Sequence, residues 1–199
     1  MLRLSRRSAR AVASVTLALA LAASAAGCSG DDKPEEDPGA AAEAGRDERP
    51  PLATTARLGE VVGRLDRPQQ ARLKATITEV VDAWIDAAYL GDFPRTDFAD
   101  AFPGFTKGAA ADARQDAALM SNQQVAPRVE SVTPFRRELE IDALAVKRRP
   151  TAVTARFVLA MRLEGELKRA DRVRGRLFLT WRDGAWKVFG YDVTRGVVR

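Results

Sequence analysis

The apolar positions divide the chain into three stretches of different pattern. Ala11 to Ala22 is a continuous apolar run broken only by Ser14 and Thr16. Residues 29 to 57 then carry almost no large apolar side chain. From Val61 onward the apolar residues become periodic, first at helical and later at strand spacing. Ile77, Val80, Val81, Trp84, Ile85 and Ala88 recur three and four apart, which predicts a helix from about Pro68 to Tyr89. Pro68 suits its first turn and Gly91 its end. Thr96 or Asp97 can cap a short helix through Phe102, and Pro103-Gly104 marks a turn. Thr106 can cap a third helix, Lys107 to Met120, rich in alanine. Phe93, Phe98, Phe102 and Phe105 crowd this region and are read as core.

The second half alternates. Pro134 to Lys147 reads as a strand in which Leu139, Ile141 and Ala143 alternate before Leu144 and Val146 take over. That slip of phase predicts a bulge or bend. Arg148, Arg149 and Pro150 form a turn. Val153, Ala155, Phe157, Leu159, Met161 and Leu163 alternate without a break over Thr151 to Glu166. Val173, Leu177, Leu179 and Trp181 alternate against arginines over Arg169 to Arg182. Asp183-Gly184 then gives a type I′ hairpin signal into a last strand, Ala185 to Thr194. Helices followed by long strands predict an α+β class: N-terminal helices packed in a strongly curved antiparallel sheet.

Composition narrows the chemistry. The 199 residues contain no histidine and one cysteine, Cys28. Histidine-dependent triads, dyads and metal sites are therefore excluded, as is an internal disulfide. The +5 formal charge comes largely from the first 27 residues, which hold Arg3, Arg6, Arg7, Arg10 and no acid. Without them the chain carries 28 basic and 27 acidic residues, so its charge gives no argument for nucleic acid. From Asp31 to Glu60 nine acids face four bases, and Pro34, Pro38, Pro50 and Pro51 interrupt any helix. Such a segment cannot bury enough surface to offset its ordering entropy and is expected to be a disordered acidic linker. The expected organisation is a signal segment at 1–27, a linker at 28–60 and one domain at 61–199.

A basic start, a short apolar core and small residues before Cys28 have the three parts of a secretory signal. The apolar run is about a dozen residues, short of the roughly 20 a spanning helix needs. Ala25-Ala26-Gly27-Cys28 resembles the bacterial lipoprotein lipobox, with Ala25 where that box usually has leucine. The resemblance implies cleavage between Gly27 and Cys28, lipidation of the Cys28 thiol with fatty acylation such as palmitate, and a place on the outer face of the cell membrane. Ser5-Arg6-Arg7 is similar to a twin-arginine signal, but strongly apolar residues do not follow it, which favours the general secretory route. The abundance of Ala, Arg and Gly points to a GC-rich bacterium such as an actinobacterium.

The region Val61 to Val197 resembles the NTF2-like, or SnoaL-like, superfamily of cone-shaped α+β domains. The likeness rests on Trp84-Ile85-Asp86-Ala87-Ala88-Tyr89 near the end of a long helix and on the shorter helical segment after it. It rests also on the hairpin Leu177-Phe178-Leu179-Thr180-Trp181-Arg182-Asp183-Gly184-Ala185-Trp186-Lys187-Val188. The layout is also similar to Mce-associated exported proteins. The superfamily implies a pocket at the mouth of a cone and, in some members, a lyase, isomerase or cyclase acting through Asp with His or Tyr. The cyclase-type histidine is missing here.

The remaining acid–base candidates are Asp82, Asp86, Asp192 and Tyr191, with Trp84 as a possible pocket wall. Asp82 and Asp86 are four apart on one helix, close enough to influence each other if desolvated. The alternative is that they are ordinary helix acids, and that Asp192 pairs with an arginine of the neighbouring strand. Arg172, Arg174 and Arg176 share one strand face, with Arg182 further along. That stripe could meet anionic lipid, an acidic partner or the chain's own linker, or be a solvated face paired with cross-strand acids. No phosphate-binding loop, dinucleotide fingerprint, calcium loop or GxSxG occurs. No cofactor, metal or nucleic acid is therefore expected. The expected role is a membrane-anchored, non-catalytic accessory protein for an envelope protein complex or a small apolar ligand. Alternatives are a small lyase or isomerase and a structural envelope protein. A dimer is compatible with the resemblance.

Overall fold

A computed structural model describes residues 52–198, so the expected signal segment, Cys28 and most of the expected acidic linker lie outside the described residues. The first element is a strand, β1 (Thr55–Val62). Helix α1 (Arg67–Ala88) follows, then α2 (Lys107–Gln115) and α3 (Ala117–Met120). Four long strands complete the chain: β2 (Ser131–Val146), β3 (Arg149–Glu164), β4 (Arg169–Arg182) and β5 (Ala185–Val197). The sheet order is β1-β2-β3-β4-β5, with β1 parallel to β2 and the other pairs antiparallel.

This corrects the expected fold. The helices are not N-terminal, because β1 precedes them, and the sheet is mixed, not antiparallel. Strands hold 46% of the described residues against 26% in helices, so the sheet dominates. A five-stranded mixed sheet with three helices replaces the cone of N-terminal helices in a curved antiparallel sheet. The element the pattern does not announce is β1, most of which lies inside the expected linker. Its side chains alternate only weakly: Ala56, Leu58 and Val61 are half-buried, and the register shifts between Leu58 and Val61. A parallel pair also needs a long crossover, here the whole of α1 to α3, so no hairpin signal announces it.

Local chemistry accounts for the other boundaries. Asp66 caps α1: its carboxylate accepts the Gln69 amide at 2.8 Å while the Gln69 side chain accepts the Asp66 amide at 3.0 Å. Leu73, Ile77, Val81, Trp84, Ile85 and Ala88 form the buried face of this helix. Thr106 caps α2, but the helix ends at Asp116 and restarts as α3, so the single helix to Met120 is in two pieces. The short helix expected through Phe102 is absent, and residues 97–104 are loop and turn. Asp183 and Gly184 both have positive φ, as a type I′ turn requires. Lys147 and Arg148 do too, which places the β2–β3 turn one residue earlier than expected.

From Val153 to Leu163 in β3 and from Asp171 to Leu179 in β4 the odd-numbered residues point to the core, where Phe157, Leu159, Met161, Val173, Leu177 and Leu179 join the buried face of α1 in one cluster. Gly175 sits where a Cβ would come within 2.1 Å of the Asp192 carbonyl, so β4 and β5 approach too closely there for any side chain. Two bulges set the phase of β2 and β5. Pro134 pairs with Met161 and Arg136 with Ala160, which leaves Phe135 as an extra residue in β2. Phe189 is the extra residue in β5, between Val188 opposite Leu179 and Gly190 opposite Phe178. The slip expected at Leu144 does not bring Leu144 and Val146 inward. Although the register shifts between Leu144 and Ala145, Ala143 and Ala145 remain the buried pair.

Candidate functional site

The bulge at Phe135 turns Arg137 inward, opposite Leu159 and under α1. There its guanidinium takes both candidate acids. One terminal nitrogen lies 2.8 Å from Asp82 Oδ1 and the other 2.8 Å from Asp86 Oδ1. Arg137 Nε donates to Thr54 Oγ1 at 3.0 Å, and the Thr54 hydroxyl donates to Asp82. Asp82 and Asp86 therefore do share a helix face, but a buried arginine lies between them. A carboxylate whose acceptor oxygen is engaged by a guanidinium is poorly placed to abstract a substrate proton. The chemistry of this cluster is that of a clasp joining α1, β2 and the residue just before β1.

Trp84 lines no open pocket. It is fully buried, with ring centroids 5.1 Å from Phe157, 5.4 Å from Tyr89 and 5.9 Å from Phe105. Its Nε1 has no hydrogen-bond partner among the described residues. Phe98, Phe102 and Phe105 are buried in the same core. Tyr191 points inward from β5 and donates its hydroxyl to Asp116 Oδ2 at 2.8 Å. Burial, and then the Asp116 carboxylate, push the Tyr191 phenol well above its usual range, so it holds its proton rather than offering a base. Asp192, its neighbour, faces outward and pairs with Arg176 of β4.

A second ionic cluster carried no clear signal in the sequence. The Phe189 bulge turns Arg195 inward opposite Val173, and its side chain is only 8% exposed. It meets Asp171, which is fully buried, through Nε at 2.9 Å and Nη2 at 2.7 Å. It also donates to Asn122 Oδ1 at 2.7 Å and to the Ser121 carbonyl at 2.9 Å. Asn122 in turn donates to the Tyr89 carbonyl at 2.6 Å. Arg169 approaches Asp171 from the solvent side. Its Nη2 donates to Oδ2 at 3.0 Å, whereas Nε lies 2.8 Å from Oδ1 at an angle too bent for a hydrogen bond. The network pins the C-terminal end of α3 to the sheet. Burial also pushes the nearby Tyr89 phenol far up, against the opposing field of Arg195.

The outer face of the sheet is charged. Arg57, Glu140, Arg156, Arg176 and Asp192 stand in one row across all five strands. Glu140 pairs with Arg57 and lies 3.7 Å from Arg156, which also pairs with Asp142. Arg136 pairs with Glu138 along its own strand. Of the four arginines of the proposed basic stripe, Arg176 is the one neutralised by a neighbour among the described residues, through Asp192. Arg172, Arg174 and Arg182 are exposed and have no carboxylate partner among the described residues. A shallow groove of about 270 Å³ crosses this face between Thr55, Arg57, Glu138 and Arg156. Another, of about 200 Å³, lies beside Val62 and Leu144. Among the described residues no group of three or more acids gathers to hold a metal, and no helix is long and apolar enough to cross a membrane.

Compared with known proteins, the chain matches no family model and no curated sequence.

Proposed function

We propose that the chain is a lipid-anchored extracytoplasmic accessory protein whose sheet domain binds an acidic partner of the cell envelope through the outer face of β4. The anchor rests on Cys28 and the signal-like residues before it. The observation that carries the binding mode is the contrast between the two faces of β4. The inner face is filled by Val173, Leu177 and Leu179, whereas the outer face leaves Arg172 and Arg174 exposed beside the ion-paired row. A face of this kind steers an oppositely charged partner and fixes its register. The same geometry weighs against the lyase or isomerase alternative, since Arg137 occupies the carboxylates that such an enzyme would need.

Mass spectrometry of the full-length protein, extracted gently from its own membrane, tests both parts. The denatured mass should equal Cys28 to Arg199 plus a diacylglyceryl group and further acylation. An unlipidated mass refutes the anchor. Under native conditions a heavier assembly should appear and should be lost in the Arg172→Glu/Arg174→Glu double variant. An assembly that survives the double reversal refutes the sheet face.

A further inference from the structure

One end of the sheet combines exposed apolar side chains with positive charge. The β2–β3 turn, the β4–β5 turn, the C-terminal end of β1 and the start of α1 all meet there. This follows from the register, in which Val62 lies opposite Leu144, Leu144 opposite Ala152, and Ala152 opposite Thr180. Val62, Leu144, Val146 and Trp181 stand at this end with 53%, 44%, 49% and 54% of their surface exposed. These are four of the nine large apolar residues the described surface leaves open, so such exposure is concentrated here. Lys147 and Arg148 form the first turn and Arg149 begins β3, Arg182 enters the second turn, Arg64 precedes α1 and Arg67 begins it. The acids at this end are Asp66, whose carboxylate is engaged in the α1 cap, and Asp183 in the turn, with Glu60 and Asp142 further back. Arg64 and Arg148, with Asp66 and Gln70, line a recess of about 440 Å³.

We infer that this end of the sheet docks on a bilayer surface bearing anionic lipid headgroups. Protruding apolar side chains ringed by cations suit an interface with an apolar layer under a negative one. The apolar groups sit on separate strand ends and turns, an arrangement that matches a surface better than a peptide segment. A second copy fits badly, because a symmetric pairing through this end would set each basic turn against its own duplicate. The inference depends on the proposed function only in that a membrane must be near; its surface is distinct from the Arg172–Arg174 face. Docking by this end would hold the sheet upright on the membrane, with the β4 face turned sideways toward a partner.

Trp181 supplies the test, because Trp84 and Trp186 are 0% and 4% exposed and report little of the surroundings. The full-length chain is mixed with vesicles of phosphatidylcholine and phosphatidylglycerol in roughly a 2:1 ratio, carrying brominated acyl chains as quenchers. The expected result is quenching of Trp181 that disappears in Trp181→Phe, that is weak with phosphatidylcholine alone, and that fades in about 0.5 M salt. Each basic residue near such a surface contributes about fivefold in affinity. Arg148→Glu/Arg149→Glu should therefore weaken the quenching titration at least tenfold, with circular dichroism unchanged. The inference is overturned if the chain sediments with anionic vesicles while Trp181 stays unquenched, since attachment then runs through another segment. Equal quenching by neutral vesicles, or no effect of the double reversal, overturns it as well. A Trp181 shift that grows with protein concentration and needs no vesicle would assign the surface to a second copy. Lipidation at Cys28 and the Arg172→Glu/Arg174→Glu assembly are read separately by mass, so failure here leaves the proposed function standing.

Discussion

Replacing Arg195 by methionine keeps most of the side-chain volume and removes the charge. Asp171, 1% exposed, would keep only the partial support of Arg169, which is itself a third exposed. Asn122 Oδ1 and the Ser121 carbonyl would each lose a donor. Removing one partner of a buried ion pair costs about 3–5 kcal/mol, mainly because the remaining charge is stranded. The Arg169 contact places this site toward the lower end, about 3 kcal/mol. In urea, with a slope of about 2 kcal/mol per molar, the midpoint should fall by roughly 1.5 M. The thermal midpoint should fall by about 6–12 °C. The decisive comparison is the double variant Asp171→Asn/Arg195→Met. If stranded charge causes the loss, the double variant will be less destabilised than the two single effects summed, with a coupling of about 2 kcal/mol. A single Arg195→Met loss under about 1 kcal/mol, or strictly additive losses, would refute the account of Asp171 and Arg195 as an interdependent pair.

The Arg137 clasp should behave more mildly, because Asp82 and Asp86 are 28% and 54% exposed. Arg137→Met is expected to cost about 1–2 kcal/mol in urea denaturation, with larger coupling to Asp82→Asn than to Asp86→Asn. Gly175→Ala should lower stability by more than about 2 kcal/mol, since its Cβ would meet backbone atoms of Asp192 and Val193. Gly196→Ala, with nothing within 4 Å of the added carbon, should change the urea midpoint little. The pKa values of Tyr89 and Tyr191 are raised, so their protonated forms are favoured by folding. Below pH 10 that preference contributes fully. Above it the unfolded chain ionises while the folded chain keeps its protons, so stability should fall as pH rises. For fully buried Tyr89 the slope is up to about 1.4 kcal/mol per pH unit. A urea midpoint that stays level from pH 9 to 11 would contradict this, and Tyr191→Phe should remove a smaller share.

How far the sequence foretold the structure depended on whether a feature has a local cause. The face of α1, the unbroken alternation of β3 and the Asp183-Gly184 turn are local, and each appears where the pattern puts it. β1 is not local: its partner lies more than eighty residues away, and its own alternation is weak. The bulges were the other obstacle. A single extra residue reverses every later side chain in a strand, so Phe135 decides that Arg137 meets Asp82 and Asp86. Phe189 likewise decides that Arg195 reaches Asp171, one residue beyond the Thr194 end that the alternation predicts. The spacing of Asp82 and Asp86 puts them on one helix face, yet nothing in that spacing reveals the arginine beneath them. The one available hint was Arg137 itself, in step with Leu139, Ile141 and Ala143 on the buried side of β2.

The parallel pairing of β1 with β2 also has a consequence in time. Arg57 and Glu140 are joined across the sheet but separated by 83 residues of chain. At synthesis rates of about 5–20 residues per second, β1 is made roughly 4–17 s before its partner exists. During that interval the α1 face and the β1 edge have no sheet to cover them, so the first half of the domain must be kept apart from other chains until β2 arrives. Because closing so long a loop is entropically late, β1 is expected to join a hairpin array of β2 to β5 that has already formed. Any process that handles the nascent chain in an extended state, membrane translocation included, would spare it that exposed interval.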